Sequence, residues 1–134
     1  MPSAYKPHGY TSLAPYLLVS GAHRVLEFLT AAFGATALRR FEAPDGSILQ
    51  AGNGGYGPFF SDTVVMLSEG GGPYPPFPAW VHLYLPDVDA AYARALAAGG
   101  RAVQAPEQKP GDPDRRGGVA DPAGNTWWIS TQMG

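Results

Sequence analysis

The feature that most constrains this chain is a weak repeat of its own pattern at a spacing of 66 positions. Val19 falls on Leu85, Leu26 on Tyr92, Leu29 on Ala95 and Gly34 on Gly100. Apolar positions in one predicted helix meet apolar positions in another, and a helix-stopping glycine meets a second one. Two copies do not make a solenoid, because stacked repeats need at least three units to bury a continuous core. The pattern reads instead as a diverged duplication. Each unit pairs a small sheet with a single helix, and one helix covers only one sheet face. The other face calls for the second copy or for another chain.

The elements follow from periodicity and punctuation. Residues 12–19, SLAPYLLV, read as a strand, with Leu13, Leu17 and Val19 on one face and Ala14, Tyr16 and Leu18 on the other. Pro15 lacks an N–H and implies an edge position or a break in the ladder. Residues 21–33 read as a helix: Val25, Leu26, Phe28, Leu29, Ala32 and Phe33 make one apolar stripe, Ser20 is placed to cap it and Gly34 to stop it. Strands are expected at 36–41, 47–51 and 63–68, with a glycine-rich loop over 52–58 that leads to Phe59 and Phe60. The loop is long enough to act as a lid or as a contact between copies.

The second half repeats the order. WVHLYL at 80–85 is a strand. Asp87 caps a helix to about Ala98, with Val88, Tyr92, Ala95 and Leu96 inside. Strands follow at 101–104, 115–119 and 125–131, the last pair joined by a tight turn at Asp121–Gly124. The fold class is therefore α+β, with two tandem βαβββ modules. The expected organisation is one domain over 1–134, with modules at 12–69 and 80–132 and a Pro/Gly-rich link at 70–79.

Composition narrows the function classes. The chain has 134 residues, no cysteine, and a net charge of −2 from nine basic and eleven acidic side chains. Thiolate chemistry and disulfides are excluded. The arginines are scattered rather than striped, so no nucleic-acid partner is expected. No signal peptide and no membrane span is legible, and the expected location is cytoplasmic.

The arrangement resembles the vicinal oxygen chelate superfamily, which includes glyoxalases, bleomycin-resistance proteins and extradiol dioxygenases, and within it the PhnB-like branch. The resemblance is carried by Pro15-Tyr16-Leu17 with the helix to Phe33-Gly34-Ala35, by Ser61 to Leu67, by His82 to Ala90 and by Asp121 to Trp127. It implies a glyoxalase/bleomycin-resistance-like fold with a curved sheet from each half around a cleft, in which metal-dependent members hold their ion near the positions of Ala14, Met66, Trp80 and Trp128. None of these four is a good ligand for a hard or borderline divalent ion, and Met66 offers only a thioether. His82, Glu69 and Gln50 are the nearest substitutes and do not assemble a set. No metal and no cofactor is therefore expected.

Strand parity turns Tyr16, Met66, Trp80, His82, Tyr84 and Trp128 toward the cleft, with Gln50 on the third strand beside them. An aromatic wall with few polar groups suits a planar or amphipathic organic ligand; it also suits a dimer interface or plain packing. His82 is the only histidine on these strands and the weak candidate for a catalytic base, against the reading of a histidine bonded to a neighbouring strand. Arg115 and Arg116 read as a solvated pair, with an anion clamp at the cleft mouth as the alternative. Three functions stay open. The first is a metal-free binding protein of the bleomycin-resistance type. The second is an enzyme, either a lyase or dioxygenase with displaced metal ligands or an isomerase using His82. The third is a structural or regulatory dimer. A homodimer is expected in each.

Overall fold

A computed structural model of the chain describes residues 5–6, 10–37, 41–42, 48–50, 58–60 and 62–134. The first strand, β1 (Tyr16–Val19), begins immediately after Pro15 rather than at Ser12. Proline has no N–H to enter the ladder, yet its carbonyl still accepts from Met66 N at 2.8 Å. Helix α1 (Ala22–Phe33) follows, and all six residues of the expected apolar stripe are buried. Its start departs from expectation. Ser20 does not cap it; the Glu69 carboxylate accepts from Gly21 N and Ala22 N, both at 2.9 Å. A carboxylate there also meets the positive end of the helix dipole. Gly34, at φ +71°, closes the helix: its N–H donates to the Thr30 carbonyl and the Ala35 N–H to the Leu29 carbonyl.

The rest of the first half is built from short strands: β2 (Thr36–Ala37), β3 (Phe41–Glu42), β4 (Ile48–Gln50), β5 (Pro58–Phe60), β6 (Thr63–Val64) and β7 (Met66–Glu69). β7 runs parallel to β1, with Tyr16 opposite Met66 and Leu17 opposite Leu67. β5 is a strand the sequence reading did not expect, starting on the last residue of the 52–58 loop: it pairs with β2 through Thr36–Phe59 and with β6 through Phe59–Val64. Residues 51–57 lie outside the described residues.

The second half holds one four-stranded sheet. Its strands are β8 (Trp80–Tyr84), β9 (Arg101–Glu107), β10 (Asp114–Ala120) and β11 (Thr126–Gln132), in the spatial order β8-β11-β10-β9. β8 and β11 are parallel, and the other neighbours are antiparallel. β9 runs three residues beyond the expected Gln104. Pro106 is tolerated because β9 is an edge strand with one unpaired side. Helix α2 (Val88–Ala97) is capped by Asp87, whose Oδ1 accepts from Ala90 N at 3.1 Å. Its buried stripe is Val88, Ala91 and Ala95. Leu96, expected inside, is 38% exposed, because one residue of rotation past Ala95 carries it about 100° around the helix. The small buried face lets α2 approach α1, and Arg94 Nε donates to the Ala32 carbonyl at 3.1 Å.

A single core draws on both halves: the α1 stripe, Leu17, Val19, Leu67, Val88, Ala91, Val119, Trp127 and Ile129. Phe33 links them, its ring 5.8 Å from Phe28 and 5.7 Å from Trp127. The architecture matches the expected class, with mixed helix and sheet and curved sheets that do not close into a barrel. No helix among the described residues is long and apolar enough to cross a membrane.

The β10–β11 turn is tied by one buried carboxylate. Asp121 Oδ1 accepts from Ala123 N and Asn125 N, and Oδ2 accepts from Asn125 Nδ2 and Trp127 Nε1, all between 2.9 and 3.0 Å. Replacing it orphans several buried donors. Asp121→Ala is expected to lower unfolding stability by about 2–4 kcal/mol, measured by urea denaturation, because hydrogen bonds to a charged group are the costly ones to lose.

Candidate functional site

Alternation along the four-stranded sheet separates two faces. Val81, Leu83, Trp127 and Ile129 go to the helices, as parity predicts. The opposite face carries Trp80, His82 and Tyr84 on β8, then Trp128 and Ser130 on β11, then Asp114, Arg116 and Gly118 on β10. The ladder puts Trp128 beside His82 and Ser130 beside Tyr84 on one side, and Trp128 beside Gly118 on the other. Trp80 is 77% exposed and Tyr84 60% exposed. Within one chain these aromatics are not core.

The rings are ordered against one another. Trp80 and Trp128 meet edge to face at 5.4 Å, and His82 and Tyr84 at 4.6 Å. Such geometry matches the ring quadrupoles. Trp128 lies over Gly118, where a Cβ would come within 2.7 Å of the indole. Only glycine leaves room for that ring at this register.

Beside the rings lies a polar network whose acids the sequence reading missed. Tyr84 Oη donates to Asp114 Oδ2 at 2.6 Å, and Arg116 reaches the same oxygen at 3.0 Å. Arg116 Nε also donates to Asp112 Oδ2 at 2.9 Å. Ser130 Oγ lies 3.0 Å from His82 Nε2 and 3.4 Å from the Arg116 guanidinium. Asp112 and Asp114 fall between the strands expected at 101–104 and 115–119, which hid them. The signal was available in parity: two residues back from Arg116 on the same strand face is Asp114.

These contacts revise the reading of the arginines. Arg116 is held by two aspartates, and Arg115 forms a two-point ion pair with Asp89 of α2 at 2.8 and 2.9 Å. Neither is a solvated, idle cation or an open anion clamp. The Arg116 hydrogen bond holds the Asp112 carboxyl below the usual range, as Arg115 does for Asp89. The hydrogen bond to Asp114 pushes the Tyr84 phenol up, so it stays a neutral donor. His82 moves down, first through partial burial and then through Arg116, with Asp114 opposing.

The other expected site residues are distributed differently. Tyr16 and Met66 lie side by side on the β1–β7 pair, a separate sheet from the Trp80–Trp128 face. Gln50 belongs to β4, and its side chain lies outside the described residues. Glu69 is committed to the α1 terminus, and His23 pairs with Glu27 on α1. His8 lies outside the described residues. No group of three or more His, Asp or Glu side chains among the described residues is placed to hold an ion. With two packed indoles at Trp80 and Trp128 and a thioether at Met66, the side chains present do not fit a divalent ion, and no chemistry is routed through one.

Comparisons with known proteins match most of the chain. A family model described as the Glyoxalase/Bleomycin resistance protein/Dioxygenase superfamily matches residues 11–129. An uncharacterized protein of Mycobacterium bovis, Mb0911c, is 36% identical over 122 residues, covering 87% of this chain and 80% of that protein. The crystal structure of TioX from Micromonospora sp. ML1 superposes with a TM-score of 0.71 at 25% identity, covering 90% of this chain and 95% of that one. TnmS3, an antibiotic binding protein from Streptomyces sp. CB03234, shares the fold with a TM-score of 0.65 at 22% identity, over 92% and 99% of the two chains.

Because the His82 midpoint is lowered in the fold, the unfolded chain takes up this proton more readily. Stability is then lost as pH falls through about 6.5, and the loss levels off below the folded midpoint. NMR titration should give His82 a midpoint below that of a free histidine. Arg116→Gln should raise the midpoint, because it removes the repelling cation and releases Asp114.

Proposed function

Because the chain belongs to the glyoxalase/bleomycin resistance protein/dioxygenase superfamily, we propose that it binds a small aromatic or amphipathic compound on the Trp80–Trp128 face. The observation that carries this reading is the exposure of ordered rings. Trp80 and Tyr84 present most of their surface to solvent while their neighbours Trp128, His82 and Asp114 hold them in place. An apolar wall with a few fixed polar groups is the usual make-up of a ligand site. TnmS3 is described as an antibiotic binding protein, which supports small-molecule capture as a task this fold performs. The finer assignment we propose is the PhnB-like branch, on the order of its sequence motifs, with 12–69 and 80–132 as the two modules and 70–79 as their link.

Catalysis finds less support in the geometry. Ser130 and His82 are within hydrogen-bond reach, but Ser130 is fully buried and offers no nucleophile to a ligand. No described acid orients the imidazole as a triad would require.

Calorimetry and tryptophan fluorescence on chelator-treated protein, titrated with fused-ring aromatic compounds, test the binding reading. Saturable binding is expected, weakened about tenfold in Trp80→Ala, which corresponds to roughly 1.4 kcal/mol. No saturable binding across the panel would sink it.

The same exposed face leads us to propose a homodimer, in which a second copy covers part of the rings. Light scattering should report twice the chain mass of 14.1 kDa. A monomer mass at micromolar concentration counts against it.

A further inference from the structure

A second concavity lies where β8 meets the first half of the chain. It encloses ≈ 290 Å³, and neither Trp80 nor Trp128 contributes to it. Its polar lining is Asp62, Thr63, His82 and Tyr84; Val65 and Leu83 belong to its apolar lining. Most of its lining comes from two segments about twenty residues apart in sequence, 62–65 and 81–84, and Pro15 and Trp127 complete it.

The charge on this lining is one-sided. Asp62 is exposed, and its partner among the described residues is the Thr63 hydroxyl, at 2.9 Å. That partner is neutral, and no cation among the described residues reaches Asp62. This contrasts with Asp89, Asp112 and Asp114, each of which is paired with an arginine. His82 and Tyr84 both favour their neutral forms near neutral pH. Among the described residues, then, one carboxylate without a cationic partner shares the lining with an aromatic ring and two aliphatic side chains.

We propose that this pocket is a binding site for a small organic amine, with the ammonium on Asp62 and its apolar body against Val65 and Leu83. The carboxylate supplies a charge-assisted hydrogen bond to the N–H groups. The Tyr84 ring supplies a face for the cation. The volume is near the lower end for ligand pockets, which selects a single ring or a short chain over a fused system. The pocket shares His82 and Tyr84 with the Trp80–Trp128 face but neither tryptophan, so substitution at Asp62 and at Trp80 tells the two apart.

Benzylamine and its neutral analogue benzyl alcohol are the probes, titrated into the full chain by calorimetry and by NMR shift perturbation. Benzylamine should bind saturably and perturb Thr63 and Val65. Asp62→Asn should weaken it about tenfold, the scale for a hydrogen bond to a charged group. Asp62→Glu should retain most of the affinity, and Trp80→Ala should leave it unchanged. Thermal melts check that each variant is folded, as an exposed position predicts. The proposal is overturned by no saturable benzylamine binding, by equal affinity in wild type and Asp62→Asn, or by benzyl alcohol binding as tightly as the amine. Binding of benzylamine that disappears in Trp80→Ala but not in Asp62→Asn assigns the amine to the other face and also overturns it.

Discussion

The burial of Trp127 governs the second half of this molecule. Its ring is fully buried beside Phe33 of α1, and its N–H ends on Asp121. Fully burying a large aromatic side chain is worth roughly 3 kcal/mol or more, so the strand cannot turn over without losing it. Strand alternation then leaves no choice for the next residue. Trp128 must face away from the helices, as must Ser130. The parallel register carries the same rule to β8, where Val81 and Leu83 go in and Trp80, His82 and Tyr84 go out. An aromatic face thus arises as the obligatory reverse side of a core.

What keeps that face from collapsing is electrostatic as well as steric. Asp114 is buried, yet it is engaged by Tyr84 and by Arg116, and Arg116 is engaged again by Asp112. A buried carboxylate with its partners in place fixes the groups around it, whereas one left unpaired would be strongly destabilising. Gly118 makes the complementary contribution by leaving a space that the Trp128 indole fills. The aromatic rings are therefore held from both sides. Holding them before a ligand arrives lowers the ordering cost of binding. The seam pocket differs: Asp62 lacks a described cation, and its chemistry invites one from outside.

Much of this was legible in the chain. The α1 stripe, the Asp87 cap, the Gly34 stop and the two-faced pattern of WVHLYL each follow from local rules that act over a few residues, and each is found in the structure. Errors fell where a distant residue supplied the deciding contact. Ser20 looked like the cap of α1, but Glu69, remote in sequence, reaches its first N–H groups. Leu96 looked internal until the close approach of α1 and α2 made Ala91 and Ala95 the contact face. Prolines at 106, 110 and 113 suggested loop, and an edge strand absorbed the first of them.

The sequence by itself determined which residues share a face and which superfamily the pattern belongs to, because strand and helix periods and tight turns are local properties. Tertiary structure decided what those faces contain. It separated Tyr16 and Met66 from the tryptophan wall, tied Arg115 to one helix and Arg116 to two aspartates, and brought Asp62 to the edge of β8. None of these follows from spacing along the chain, since each depends on how two elements far apart in sequence are seated on a common core.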